Sequence, residues 1–318
     1  MSCPIPIRIV NPRYKKIASL SDNEKVTLDS YSDREDFYID VPCGRCYHCR
    51  KSYKTSWNLR LQHHYSYLSE EQKQRSYFIT LTFSNEHLPS PTPKKEEISP
   101  FIRLFLERVR KRYKRSVTHW LVSEYGDNTQ RYHLHGILFN CPFPPWELEK
   151  YWKYGYVSCF RLTPRRITYI TTYINKMQRG FFEDPDKRQH VFSSPGIGKA
   201  FTEDSLNISY SHQYDTPVPF IYHNARPFAM PRYYRGKMFT EDERENLTES
   251  YFHFRSEDVI PPPPYYLGRN KFNDYSLFLS ECEKLKKKYK SIYSHSKKQE
   301  SILKDYGKQQ SKSFVETP

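Results

Sequence analysis

Between residues 77 and 179 the apolar and polar positions alternate in a legible order. Tyr77-Phe78-Ile79-Thr80-Leu81-Thr82-Phe83 is short, aromatic and β-branched, which predicts a strand. Pro89, Pro91 and Pro93 punctuate a loop. Ser99 then offers an N-cap and Pro100 suits the first helical position; Ile102, Phe105, Leu106 and Val109 follow at helical spacing, with Arg and Lys on the other face. Val117 to Glu124 predicts a second strand, and the Gly126-Asp127-Asn128 cluster turns the chain into a third, Tyr132 to Phe139. Pro144 and Pro145 open a short helix through Trp152, and Gly155 to Leu162 predicts another strand. Thr163-Pro164 repeats the cap-plus-proline signal and starts a helix running to about Arg179. The order βαββαβα implies an α+β fold, a mostly antiparallel sheet with helices packed on it.

Outside that core the pattern thins. Residues 1–40 are polar with no sustained period. From Cys43 to about Tyr67 a cysteine cluster leads into a basic run with Trp57, Leu59 and Leu61, helical after Arg50. Pro261 to Pro264 marks a linker, and the Lys-rich stretch from Leu277 to Lys312 reads as a solvated helix in preference to a DNA-contacting one. The expected division is a Cys-rich segment and helix over 1–69, a core domain over 70–240, and a linker with a basic helical tail over 241–318.

Charge adds a partner. Lys and Arg number 51 against 36 Asp and Glu, a net charge of +15, which favours a polyanion because protein cations release counterions condensed on nucleic acid. The 28 Tyr and 20 Phe set among these cations suit stacking on unpaired bases. No stretch of about twenty apolar residues occurs, which argues against a membrane-spanning helix. The start, Met1-Ser2-Cys3-Pro4, lacks the charged-then-apolar pattern of a secretory signal, so a reducing cytoplasm is expected. In that setting Cys43-x-x-Cys46-x-x-Cys49 reads as metal binding and not as a disulfide framework.

Two constellations carry chemistry. His133-x-His135 lies within the third strand, where a period of two puts both imidazoles on one face, able to chelate one cation. A lone His-x-His is a weak signal; Glu124 strengthens it as a third ligand, because the hairpin brings the end of the second strand alongside the start of the third. The plainer alternative for Glu124 is an edge-strand carboxylate in solvent. Tyr169 and Tyr173, with Lys176 three residues on, share one helical face. Such a tyrosine pair is more often core packing, but an adjacent ammonium favours phenolate and can bind phosphate, and a phenol is a poor nucleophile without such help. Gly196-Ile-Gly198-Lys199 is not a phosphate loop, since Ala200 follows the lysine, so no NTPase site is evident. Glu183, Asp184 and Asp186 read as a solvated loop.

Taken in order, Phe78 to Phe83, Tyr132-His-Leu-His-Gly-Ile-Leu-Phe139 and Tyr169-x-x-x-Tyr173-x-x-Lys176 resemble the three motifs of HUH endonucleases, in the two-tyrosine form of rolling-circle initiators. The detail is similar to replication initiation proteins of gokushovirus-like Microviridae, which share an element like Val41 to Cys49, one like Ser194-Pro-Gly-Ile-Gly198 and one like Pro231-Arg-Tyr-Tyr234. The likeness runs to about residue 240. It implies the HUH fold, a ferredoxin-like derivative, with Mg²⁺ or Mn²⁺ on His133, His135 and Glu124. It implies one tyrosine forming a 5′-phosphotyrosyl bond and freeing a 3′-OH primer, and a second closing the displaced circle. It implies single- and double-stranded phage origin DNA, a host helicase and a host polymerase as partners, in the host bacterial cytoplasm. For a structural zinc on Cys43, Cys46 and Cys49 the family's habit of an early cysteine makes Cys3 the first choice of fourth ligand, with His48, His63 and His64 as alternatives. Competing readings are a metal-dependent nuclease using water, a non-catalytic single-strand or RNA-binding protein, and a plasmid-transfer relaxase, for which the chain is short.

Overall fold

The computed structural model describes residues 3–12, 14, 31–35, 37–126, 131–176, 189–212, 217–224, 226–244, 246–247 and 250. They divide into two units, one formed by the chain up to Tyr53 and the other by the chain from Lys54. The Gly126-Asp127-Asn128 turn beyond Gly126, the acidic loop at 183–186, the Pro261–Pro264 linker and the Leu277–Lys312 tail lie outside the described residues.

In the first unit, β1 (Ile7–Val10) pairs antiparallel with β2 (Tyr38–Val41), Ile7 opposite Val41 and Val10 opposite Tyr38. The segment read as patternless therefore holds a ribbon. Its strands of four residues each are too short for alternation to stand out. The register has a consequence: the residues before Ile7 and after Val41 leave the ribbon at the same end, which brings Cys3 to the cysteines that follow β2. Helix α1 (Tyr47–Ser66) then begins earlier than its hydrophobic pattern indicated, with Cys49 already inside its first turn.

The second unit is α+β, as the pattern implied. Helix α2 (Glu70–Gln74) is closed by a capping box between Ser69 and Gln72. It leads into β3 (Tyr77–Phe83), α3 (Lys95–Tyr113), β4 (Thr118–Tyr125) and β5 (Tyr132–Phe139). After a 3₁₀ turn come α4 (Leu148–Tyr151), β6 (Gly155–Arg161) and α5 (Pro164–Thr172). Then follow β7 (Val191–Ser193), α6 (Lys199–Glu203), α7 (Ser205–Ser211), the ribbon β8 (Phe220–His223) with β9 (Arg226–Ala229), and α8 (Arg232–Met238). Five strands form one antiparallel sheet in the order β6-β3-β5-β4-β7.

The sheet buries both faces, unequally. Ile79, Leu81, Leu121 and Leu134 point to one face and pack against Ile98, Ile102 and Phe105 of α3. Phe78, Trp120, Val122 and Ile137 point to the other, where Ile167 and Ile170 of α5 and Trp57 and Leu61 of α1 cover them. Each such Leu or Ile, fully buried, contributes about 1.5–3 kcal/mol. The second face carries the polar residues of the candidate site, because His133, His135, Glu124 and Thr80 share the parity of Ile137, Val122 and Phe78 along their strands.

Two helix boundaries differ from the sequence pattern. Helix α3 starts at Lys95, so Pro100 lies inside it and not at its first position. Ile98, fully buried, extends the stripe of Ile102, Phe105 and Val109 back by one turn, and that burial outweighs the backbone bond a proline forgoes. Helix α5 is capped as expected by Thr163, whose hydroxyl accepts from the Arg166 amide, but it ends at Thr172; a 3₁₀ turn over Tyr173–Asn175 follows and Lys176 is extended.

Candidate active site and cysteine cluster

Glu124 sits near the end of β4, directly opposite His133 on β5, with His135 two residues along on the same face. The three ligand atoms converge. Glu124 Oε2 is 3.1 Å from His133 Nε2 and 2.6 Å from His135 Nε2, and the two Nε2 atoms are 3.1 Å apart. Two ligands at right angles, each ~2.1 Å from a shared ion, would be about 3 Å apart, so the spacing fits adjacent positions around one divalent cation.

The hydrogen bonds behind the triad fit the same reading. His133 Nδ1 lies 3.0 Å from the Arg131 carbonyl, which can only accept, so Nδ1 donates and a neutral His133 presents a bare lone pair at Nε2. That lone pair faces a carboxylate oxygen, and two acceptors aimed at each other call for a cation between them. His135 Nδ1 meets Thr80 Oγ1 at 3.0 Å, a hydroxyl able to donate or accept. Burial lowers the His135 pKa, with the neighbouring His133 and Lys176 charges acting in the same direction, and this keeps its imidazole neutral and free to ligate. Burial acts on Glu124 in the opposite sense, yet hydrogen bonds from His133, His135 and Lys176 outweigh it and hold the carboxyl well below the usual carboxylate range.

Lys176 pairs with Glu124 Oε1, so its ammonium lies on the carboxylate and 5.7 Å from the centre of the Tyr173 ring. The early end of α5 is what lets it reach there. The two phenols are joined by a hydrogen bond of 2.7 Å, but their settings differ. Tyr173 is 8% exposed and its ring stacks on His135, centroids 4.2 Å apart and 12° between planes; Tyr169 is 54% exposed. All six residues singled out from the sequence for catalysis and metal binding, Glu124, His133, His135, Tyr169, Tyr173 and Lys176, are thus on one face and linked by contacts. Thr80 and the Arg131 carbonyl, which orient the imidazoles, carried no sequence signal, since only the strand register reveals them.

The first unit holds the second convergence. The sulfurs of Cys3, Cys43, Cys46 and Cys49 lie within 4.8 Å of one another, with Cys3 to Cys46 at 3.7 Å and Cys43 to Cys49 at 4.0 Å. Thiolates bound tetrahedrally at ~2.3 Å to one zinc would lie about 3.8 Å apart. Amides also point at the sulfurs: Arg45 and Cys46 donate to Cys43, and Cys49 donates to Cys46. Burial and the neighbouring sulfurs push Cys49 up to about 12. Burial acts the same way on Cys3, but there the backbone amides of Cys43 and Ile5 outweigh it and bring the thiol down to about 7. Of the four residues weighed as the fourth ligand, Cys3 is the one in the cluster; His63 bonds the Tyr234 hydroxyl and His64 takes the Gly198 amide.

Two further motifs meet on α1 in the second unit. Arg60 donates twice to the Ile197 carbonyl, and Gly198, at φ +81°, is packed so tightly that a Cβ would lie 2.5 Å from the Tyr234 hydroxyl. Ser194-Pro-Gly-Ile-Gly198 and Pro231-Arg-Tyr-Tyr234 are therefore packing elements that dock to the helix beside the sheet.

The family model for Replication-associated protein ORF2 matches residues 76–178, from the start of β3 through both tyrosines. The chain is 25% identical over 296 residues to a replication-associated protein ORF2 of Spiroplasma virus 4, covering 81% of this chain and 85% of that protein. It is 25% identical over 252 residues to a replication-associated protein ORF4 of Chlamydia phage 1, covering 70% and 60% respectively. It is 24% identical over 219 residues to a replication-associated protein VP4 of Bdellovibrio phage phiMH2K, covering 61% and 66%. No solved structure matches. The resemblance carried by the motifs is borne out by these matches: the chain is a relative of the phage replication-associated proteins, and the family match spans the triad and both tyrosines.

Proposed function

We propose that the protein initiates rolling-circle replication of a phage genome by nicking the origin strand through tyrosine. The observation that carries this reading is the convergence of Glu124, His133 and His135 on one point beside two hydrogen-bonded phenols. Tyr169 is the phenol that a DNA strand reaches without rearrangement, so its Oη attacks the scissile phosphorus. The new bond is Tyr–O–P, the broken one is P–O3′, and the 5′ side of the downstream strand stays on the protein. The phenolic proton leaves along the hydrogen bond to Tyr173 and the departing 3′ oxygen takes one up, giving the 3′-OH primer. A Mg²⁺ or Mn²⁺ ion on the triad supplies charge that neutralises and polarises the phosphate. Lys176 holds Glu124 by its other oxygen and so keeps Oε2 on the imidazoles. The phosphotyrosyl ester conserves the energy of the broken bond, and attack by the displaced strand's 3′-OH rejoins the circle without a nucleotide cofactor. Origin DNA, single- and double-stranded, is the substrate. A host helicase and polymerase would unwind and extend it in the host cytoplasm; no helix among the described residues is long and apolar enough to cross a membrane. A structural zinc on Cys3, Cys43, Cys46 and Cys49 would staple the first unit.

The test is incubation with labelled single-stranded origin oligonucleotides and Mn²⁺, read on a denaturing gel. A protein-linked band is expected, absent from the Tyr169→Phe plus Tyr173→Phe variant. Tyr169→Phe alone should lose most first-round adduct, and Tyr173→Phe, which keeps the ring on His135, should retain more. Cleavage with no adduct would favour water as the nucleophile, and binding without cleavage would leave a nucleic-acid-binding protein.

A further inference from the structure

Beside the triad, two large aromatic side chains of β6 stand in solvent: Tyr156 is 73% exposed and Phe160 50%. The sheet register places both on the face that carries the ligands. Tyr156 lies opposite Thr82, Thr82 opposite His133, and His133 opposite Glu124, so all four form one cross-strand row. The next row runs Ser158, Thr80, His135, and the third Phe160, Phe78, Ile137. Between the rings and the imidazoles the first two rows present Thr82, Thr80 and Ser158, short side chains that form a shallow floor about 10 Å across from β6 to β5.

We infer that Tyr156 and Phe160 form a stacking platform for unpaired bases of the DNA strand next to the phosphate held at the triad. The inference rests on the proposed nicking reaction for where that phosphate lies. The rings have the right chemistry, because every base offers a π-face and stacking on an aromatic side chain tolerates any sequence. They also have a reason to be exposed: β6 is an edge strand, where uncovered aromatics invite aggregation unless something occupies them. Charge complements the rings. The Arg166 guanidinium lies 5.2 Å from the centre of Phe160, and Arg161 and Arg165 are exposed at the same end of the strand, placed to meet phosphates of the stacked nucleotides. The platform contributes affinity for single strands and leaves origin recognition to other contacts.

The test uses the full chain in EDTA, so that no cleavage intervenes, with a labelled single-stranded origin oligonucleotide and its duplex. Tyr156→Ala should weaken single-strand binding about tenfold and Tyr156→Ala with Phe160→Ala further, while Tyr156→Phe and Tyr156→Trp keep it and duplex binding changes less. Because an alanine at the edge strand can unsettle the sheet, Tyr156→Leu serves as a second variant that keeps bulk without a π-face. A 2-aminopurine beside the scissile linkage should be quenched on binding the wild type and less so on binding Tyr156→Leu. Undiminished binding by both alanine variants, or Tyr156→Phe as weak as Tyr156→Ala, overturns the platform. Adduct formation in Mn²⁺ by the wild type with undiminished binding by the alanine variants removes the platform and leaves the nicking reaction standing. Loss of binding by those variants from a wild type that forms no adduct supports the platform and removes the reaction.

Discussion

Thr80 accepts or donates at His135 Nδ1 over 3.0 Å, and this freedom matters because His135 Nε2 must lose its proton before it can bind a metal. With Nε2 protonated the hydroxyl donates to Nδ1; with Nε2 ligating, Nδ1–H donates to the hydroxyl. Thr80→Val keeps the shape and removes both options, leaving a buried ring nitrogen without a partner. Such outer contacts to a ligand histidine are typically worth ~10–100-fold in metal affinity. Thr80→Val is therefore expected to weaken Mn²⁺ binding by about that factor, read by titration calorimetry, while Thr80→Ser, which restores the hydroxyl, recovers most of it. Equal affinity in all three proteins would show that Thr80 only packs. The histidines, Glu124 and the tyrosines were legible in the sequence because each belongs to a spaced motif. Thr80 was not, because its role follows from lying opposite His135 across a strand pair, a relation that no local spacing encodes.

Among the elements, β3 and β5 run over the residues that the hydrophobic pattern gives, and β4 is displaced by one at each end. Their legibility comes from dense β-branched and aromatic runs bounded by turn residues. The helix ends were less readable. The start of α3 was hidden by Pro100, a strong local signal overridden by the buried Ile98. The end of α5 passed unnoticed because a 3₁₀ turn keeps roughly the same apolar side inward for three residues, while changing where Lys176 emerges. The β6 start illustrates a backbone demand. Gly155 has φ +153°, and a Cβ there would lie 2.2 Å from the Thr82 carbonyl oxygen and 2.5 Å from the Ser84 amide nitrogen. Those are atoms of the strand that carries Thr80 and of the loop just after it, and they cannot move aside without disturbing the β3–β6 pairing. Gly155→Ala is expected to destabilise the protein by about 2–4 kcal/mol, seen as a lower urea midpoint with an unchanged slope. A midpoint matching the wild type would mean that the strand end yields at little cost.

The fold also contains a group of histidines whose effect is on the stability of the molecule as a whole. Burial pushes His63 down to about 3, with His223 adding to the effect, and pushes His64 and His223 down to about 4, with Arg60 acting further on His64. His63 stacks on Phe201 and lies nearly parallel to Tyr234, and His64 packs edge-on against Phe139, so neither ring has water at hand to solvate a charge. In the unfolded chain the same rings titrate near ~6.5. Between the folded and unfolded values the unfolded chain binds more protons, so stability rises with pH across that window. It is at full strength above about 6.5, declines as pH falls toward about 4, and levels once the folded rings are charged too. Each pH unit that separates a ring's folded and unfolded pKa is worth ~1.4 kcal/mol, enough for these rings together to erode a stability of ordinary size. Glu124 acts in the same direction at lower pH, because its depressed carboxyl gives stability that is present above the ordinary carboxylate range and lost only as pH falls through the folded value. The histidine contribution can thus be separated by measuring chelated protein between about pH 5 and 7.5, where Glu124 stays ionised. A lower urea midpoint at the acid end is expected in the wild type, and His63→Gln, which fills the site with a group that does not titrate, should lessen the fall. A midpoint that stays level across that range would mean that these rings take up protons in the folded state as readily as in the unfolded one, and that the contacts around them yield to admit water.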